Sequence, residues 1–106
     1  LTDSEFEMLV LSMLAERGLP APELHHRVHV GDVLLAEIDL AWPDKFLAVE
    51  LHGQHHRVDP TVWEADQVKL VELQALGWTV LPFSWRTYMD QREWMLRRIG
   101  EHLRVS

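Results

Sequence analysis

The sequence has no cysteine, which excludes disulfides and thiolate metal ligands and fits a reducing compartment. It has no apolar run long enough to span a bilayer, and its first residues do not read as a signal peptide. A cytoplasmic protein with no membrane partner is therefore expected. There is no glycine-rich phosphate loop and no nucleophile elbow, and there are no repeats or low-complexity tracts. Basic residues are scarce: Lys and Arg number 10 against 17 Asp and Glu, for a net charge of −7. Taken alone this argues against nucleic acid, whose binders are usually basic. Two facts weigh on the other side. Acids that hold Mg²⁺ are neutralised by it, and Arg92, Arg97, Arg98 and Arg104 gather near the end of the chain.

The 106 residues, 47% of them apolar, suit one domain with one core. A single domain over residues 1–106 is expected, and Leu rather than Met at position 1 fits a domain cut from a longer protein. The five Trp should mostly be core.

Thr2 with Glu5, or Ser4 with Glu7, offers a capping box. Phe6, Leu9, Val10, Met13 and Leu14 follow helical spacing, and Gly18 with Pro20 and Pro22 ends the helix; it should run from Ser4 to Arg17. Leu24 to Val30 reads as a strand, Gly31-Asp32 as a tight turn, and Val33 to Trp42 as a second strand. After Pro43-Asp44-Lys45, Phe46 to His52 is a third strand, apolar enough to be central. A His-rich loop leads to Asp59-Pro60, a helix cap. Trp63, Leu70, Leu73 and Leu76 should form that helix's apolar face. Trp78 to Phe83 is a fourth strand, with Pro82 marking an edge or exit. A last helix covers Asp90 to Leu103, with Trp94, Leu96, Ile99 and Leu103 inward. The order is α-β-β-β-α-β-α.

Side chains alternate across a strand. On the second strand Leu34, Ala36, Ile38 and Leu40 should share one face, and Glu37 and Asp39 the other. On the third, Leu47, Val49 and Leu51 oppose Ala48, Glu50 and His52. Each strand thus carries an acid inside a sequence that otherwise reads as buried, where an ionised carboxylate is costly unless paired or bound to metal. Antiparallel pairing would bring Asp39 and Glu50 together. Two such acids repel, and a divalent cation relieves the repulsion; an oxygen donor set suits Mg²⁺ or Mn²⁺. His52 lies roughly 7 Å past Glu50 on the same face, in reach of a metal-activated water or a phosphate. The alternative for any one of them is an ordinary ion pair, or a satisfied strand-end histidine. The three together favour a site.

The seven His raise a zinc alternative, with His52, His55 and His56 close in sequence and His25 and His29 facing one way on the first strand. Against it, there is no cysteine and no helical His pair with an intervening Glu.

Several segments carry a family likeness: Gly-Leu-Pro-Ala-Pro at 18–22, Glu-Ile-Asp-Leu-Ala-Trp-Pro at 37–43, Val-Glu-Leu-His-Gly at 49–53, His55-His56, Asp66 with Lys69, and Leu-Gly-Trp-Thr-Val-Leu at 76–81. In order and spacing the chain resembles the PD-(D/E)XK, restriction-endonuclease-like nuclease superfamily, and within it the small domains related to very short patch repair endonucleases. The resemblance implies an α/β fold with a mixed four-stranded sheet flanked by helices. It implies Asp39 and Glu50 as the metal-binding acids, with His52 where the superfamily usually has Lys. It further implies a catalytic role for His55 or His56, and an acid from the first helix, Glu7 or alternatively Glu5. Asp66 and Lys69, one turn apart, could equally form a helix ion pair.

The function expected is a Mg²⁺- or Mn²⁺-dependent endodeoxyribonuclease, a DNA-binding hydrolase of the repair type that cleaves phosphodiesters with a metal-activated water. Arg27, Arg57 and Arg86 are candidate backbone contacts. A homodimer, or further domains of a longer chain, would accompany cutting of both strands. The competing expectation is an inactive nucleic-acid or protein interaction module within a larger helicase- or antitoxin-like protein, which the net charge and the missing Lys favour.

Overall fold

The computed structural model describes residues 1–53 and 59–104. Its elements are α1 (Asp3–Glu16), β1 (Glu23–Val30), β2 (Val33–Trp42), a 3₁₀ turn (Pro43–Lys45), β3 (Leu47–His52), α2 (Pro60–Ala75), β4 (Thr79–Ser84), α3 (Trp85–Asp90) and α4 (Arg92–Leu103). The four strands form one mixed sheet in the order β1-β2-β3-β4. β1 and β3 are each antiparallel to β2, and β4 runs parallel to β3 through the α2 crossover. β3 is thus internal, as its apolar sequence predicts, and Pro82 sits on an edge strand. Among the described residues, no helix is long and apolar enough to cross a membrane.

Local chemistry sets the boundaries. Thr2 caps α1 in a capping box with Glu5: the Thr2 hydroxyl accepts from the Glu5 N–H, and the Glu5 carboxylate accepts from the Thr2 N–H, each at 3.1 Å. Of the two boxes the sequence offers, this one forms, which leaves Glu7 free to turn towards the sheet. Gly31, at φ 60°, makes the hairpin turn in a backbone region open to glycine at little cost. The Asp59 carboxylate accepts from the N–H groups of Thr61 and Val62 and starts α2.

Two apolar layers cover the sheet. On one face Phe6, Val10, Met13 and Leu14 of α1 and Met95, Leu96, Ile99 and Leu103 of α4 pack on Leu40, Trp42, Leu47, Val49 and Phe83. On the other, a smaller cluster of Val28, Ala36, Ile38, Ala41, Ala48 and Trp78 receives α2 through Leu73.

Three sequence expectations are corrected here. Of the apolar face expected on α2, only Leu73 is buried, while Trp63 is 52% exposed and Leu76 44%. The last helix forms nearly as expected, as α4, but a short helix the sequence reading lacks precedes it. Ser84, whose hydroxyl accepts from the Thr87 N–H, starts the short α3, and α4 begins after Gln91 with Leu96, Ile99 and Leu103 buried as expected. Within α4, Met95 takes the fully buried position expected of Trp94, which instead meets the Phe83 ring edge-on and stays 42% exposed. Finally, only Trp42 and Trp78 of the five Trp are buried.

Candidate active site

The site lies where β2 and β3 part. The two strands pair from Trp42↔Leu47 to Leu40↔Val49 and no further. Past that point the Leu51 N–H donates to the Asp39 carboxylate, at 2.8 Å, rather than to a β2 carbonyl. A backbone donor at this depth needs a partner, and the side chain supplies it, so Asp39 is pinned at the fork.

β2 also changes face here. Ile38 packs in the α2 layer and Leu40 in the α1 layer, which corrects the expectation that Leu34, Ala36, Ile38 and Leu40 share one face. The cause is a kink shared with β1. Between the pairs Leu24↔Leu40 and His26↔Ile38, His25 stands in the left-handed region at φ 51°, where a non-glycine residue is uncommon. β3 keeps its alternation: Leu47 and Val49 face α1, and Ala48 faces α2.

The outcome is two cavities separated by a pair of carboxyl groups. On the α2 side, a cleft of about 250 Å³ is lined by Glu50, His52, Asp66, Lys69, Leu73 and Pro82, among others. On the α1 side, a cavity of about 140 Å³ is lined by Asp3, Phe6, Glu7, His25, Asp39 and Leu51. Asp39 and Glu50 come from opposite sides and are close enough for Asp39 to act on the Glu50 charge. Burial, then the neighbouring Asp39 and Asp66, push the Glu50 carboxyl up to about 8, against a smaller opposing pull from Lys69. The Asp39–Glu50 pair thus keeps one proton at neutral pH.

Behind Asp39, ligand atoms of Glu7, His25 and Asp39 all lie within 4.8 Å of one another. Glu7 reaches in from α1, one turn beyond the capping box, with its side chain only 13% exposed. Its Oε2 is 3.1 Å from His25 Nε2, and Glu37 Oε1 is 3.1 Å from His25 Nδ1. These carboxylates, Glu7 foremost, hold the His25 pKa above its ordinary value.

Compared with curated proteins, the chain has two similar relatives, from Mycobacterium tuberculosis strains CDC 1551 / Oshkosh and H37Rv. Each is described only as an uncharacterized protein, and each is 30% identical over 101 residues. The match takes in 95% of this chain and 37% of each relative. The chain thus spans little more than a third of the length of the curated relatives it matches. No family model matches the chain, and no solved structure matches it.

Of the residues singled out in the sequence, Asp39 meets Glu7 on the α1 side and neighbours Glu50 on the other, and His52 lines the α2-side cleft with Glu50. Glu5 is occupied in the capping box. His55, His56 and Arg57 lie outside the described residues. Arg27 is 3.9 Å from Glu37 and Arg86 is 3.5 Å from Asp90, both exposed. Arg92 lies over the Tyr88 ring and Arg98 pairs with Glu101.

Sequence reasoning undervalued two residues. Lys69 and Asp66 both line the cleft beside Glu50 and act on its charge in opposite senses; their one-turn spacing signalled an ion pair and nothing more. His25 was read as one of a row of strand histidines, and only the kink turns it towards Glu7. The donor set suits a divalent cation. Carboxylates of α1 and β2 meet at His25, and Asp39 also presses on the buried Glu50 of β3, an electrostatic conflict that a bound dication would resolve.

Proposed function

We propose that this domain is a metal-dependent endodeoxyribonuclease of the restriction-endonuclease-like PD-(D/E)XK superfamily, related to the very short patch repair type. The observation that carries the reading is the proximity of Asp39 and Glu50 at the point where β2 and β3 separate, with Glu7 of α1 beside Asp39. An isolated acidic pair in a sheet interior is a poor structural device, since each charge destabilises the other. As a cation holder it has a clear use. The mixed four-stranded sheet flanked by helices is compatible with the α/β class that the resemblance implies.

In this reading Asp39, Glu50 and Glu7 hold Mg²⁺ or Mn²⁺. Such an ion, when bound, supplies Lewis acidity at the scissile phosphate. The chain's own groups do the rest. The Leu51 N–H fixes the Asp39 carboxylate. Lys69, on α2 in the same cleft, contributes the positive charge that the superfamily usually places where His52 stands. His52, at the end of β3, accepts the proton of the attacking water. The net charge of −7 favours a second reading, an interaction module without catalysis, in which the acidic fork only shapes the cleft.

Cleavage of plasmid and single-stranded DNA with Mg²⁺ or Mn²⁺ tests the two readings. Wild type should cut only with metal, and Asp39→Ala and Glu50→Ala should each lower the rate by at least about a hundredfold, the scale of losing an electrostatic catalytic element. Both variants should keep their far-UV circular dichroism. A folded wild type inert with every metal and substrate would sink the nuclease assignment for this domain.

A further inference from the structure

We infer that His25 is a metal ligand, completing with Glu7 and Asp39 a cation position on the α1 side of the fork that selects a transition-metal dication such as Mn²⁺ over Mg²⁺. The inference rests on the reading of Asp39 as a metal-binding acid and goes beyond it, because neither the acidic pair nor the family likeness requires a histidine from β1.

Three observations carry it. The donors are of mixed type and correctly spaced: two carboxylates and one imidazole have ligand atoms within 4.8 Å of one another, and Glu7 Oε2 is 3.1 Å from His25 Nε2. Neighbouring ligands on one ion stand about this far apart when each is roughly 2 Å from the metal. They also face a common space, the cavity of about 140 Å³ bounded by Phe6, Leu51 and Asp3, so an ion there would be partly shielded from water. Lastly, the other ring nitrogen of His25 has a carboxylate beside it, Glu37 Oε1 at 3.1 Å from Nδ1. A metal-binding histidine usually gives its second N–H to such an outer acid, which fixes the tautomer and the ring plane. The left-handed backbone of His25 turns the side chain out of the β1 alternation and into this arrangement.

Metal selectivity follows from the donors. Mg²⁺ prefers oxygen ligands and gives up its waters reluctantly. An imidazole nitrogen shifts preference towards first-row transition ions. Asp39 then belongs to both cavities, with Glu50 on its α2 side and His25 and Glu7 on its α1 side.

The test uses Mn²⁺ alone, added to the metal-stripped domain and followed by electron paramagnetic resonance. Loss of the free-ion signal gives the affinity, and electron spin echo modulation detects a ligating ¹⁴N. Wild type should bind Mn²⁺ in the presence of excess Mg²⁺ and show histidine nitrogen modulation. His25→Asn, a residue that tolerates the left-handed region, should lose the modulation and bind Mn²⁺ at least about tenfold more weakly. His25→Gly provides a second backbone-compatible variant, and the metal-free melting temperature of each reports its fold. Wild-type Mn²⁺ without ¹⁴N modulation, or modulation and affinity unchanged in both variants, would overturn the assignment. The two readings fail separately. Mn²⁺ held through His25 by a domain that cuts no DNA retires only the nuclease. Mg²⁺-dependent cutting by a domain whose Mn²⁺ sees no nitrogen of His25 retires only this inference.

Discussion

Replacing Glu50 by glutamine should stabilise the metal-free domain at alkaline pH and leave it almost unchanged in mild acid. The neutral amide copies the protonated carboxyl, including a donor towards Asp39, and cannot ionise. In the wild type, burial, Asp39 and Asp66 raise the Glu50 pKa from 4.5 to about 8. A carboxyl raised on folding contributes stability that is complete below its unfolded value and is lost as pH climbs through its folded value. Folded protein therefore binds the extra proton between pH 4.5 and about 8, and wild-type stability falls across that window. At about 1.4 kcal/mol per tenfold change in proton affinity, the ceiling on that loss is about 5 kcal/mol. Water entering the cleft returns part of it, so about 2 kcal/mol is expected between pH 5.5 and 9. For a domain of this size that corresponds to roughly 10 °C in melting temperature. Thermal unfolding of both proteins in EDTA at the two pH values measures it, and groups common to both cancel in the difference. A gap between variant and wild type that is the same at pH 5.5 and pH 9 would refute the account of the fork as a strained acidic pair.

Further outcomes follow from the same structure. Added Mg²⁺ should raise the wild-type melting temperature more at pH 9 than at pH 6, because a ligating carboxylate must first lose its proton; equal shifts would argue against Glu50 as a ligand. Met95→Ala should cost about 2–4 kcal/mol by denaturant unfolding, as a fully buried side chain does, and Trp94→Ala markedly less; the reverse order would mean that the phase of α4 is misread. Thr2→Ala should cost about 1 kcal/mol through loss of the α1 cap, with no change in metal binding.

The strands were legible because two signals agree in them: alternating or continuous apolar residues, and turn chemistry at Gly31-Asp32 and Pro43-Asp44-Lys45. The same alternation misplaced Asp39. A period of two assumes an unbroken pleat, and the kink shared by His25 and Asp39 breaks it, so the expectation that Asp39 and Glu50 meet was right for a reason other than their sharing a face. Glu7 needed the family likeness to be singled out, since helical spacing alone read it as part of a cap. The α3 helix went unread because six residues give too little periodicity, and its cap, Ser84, sits directly behind a strand. α2 looked more deeply docked than it is. Trp63, Leu70, Leu73 and Leu76 have the right spacing for a face, but spacing cannot reveal which of them the sheet meets, and only Leu73 is buried in the cluster with Ala36, Ala41 and Ala48.

Pro82 pairs with Glu50 across the β3–β4 ladder and lies on the outermost strand. A proline has no amide hydrogen to offer a newcomer, so the ribbon is blunted on the side nearest the acids and poorly suited to lengthening there. β1 is the other margin of the sheet. An extra strand, from a second copy or from elsewhere in a longer polypeptide, would find its better template along β1, whose His25 borders the fork. Any such joining would then bear on the acidic site from the histidine side and leave the cleft under α2 open to the solvent and to what comes from it.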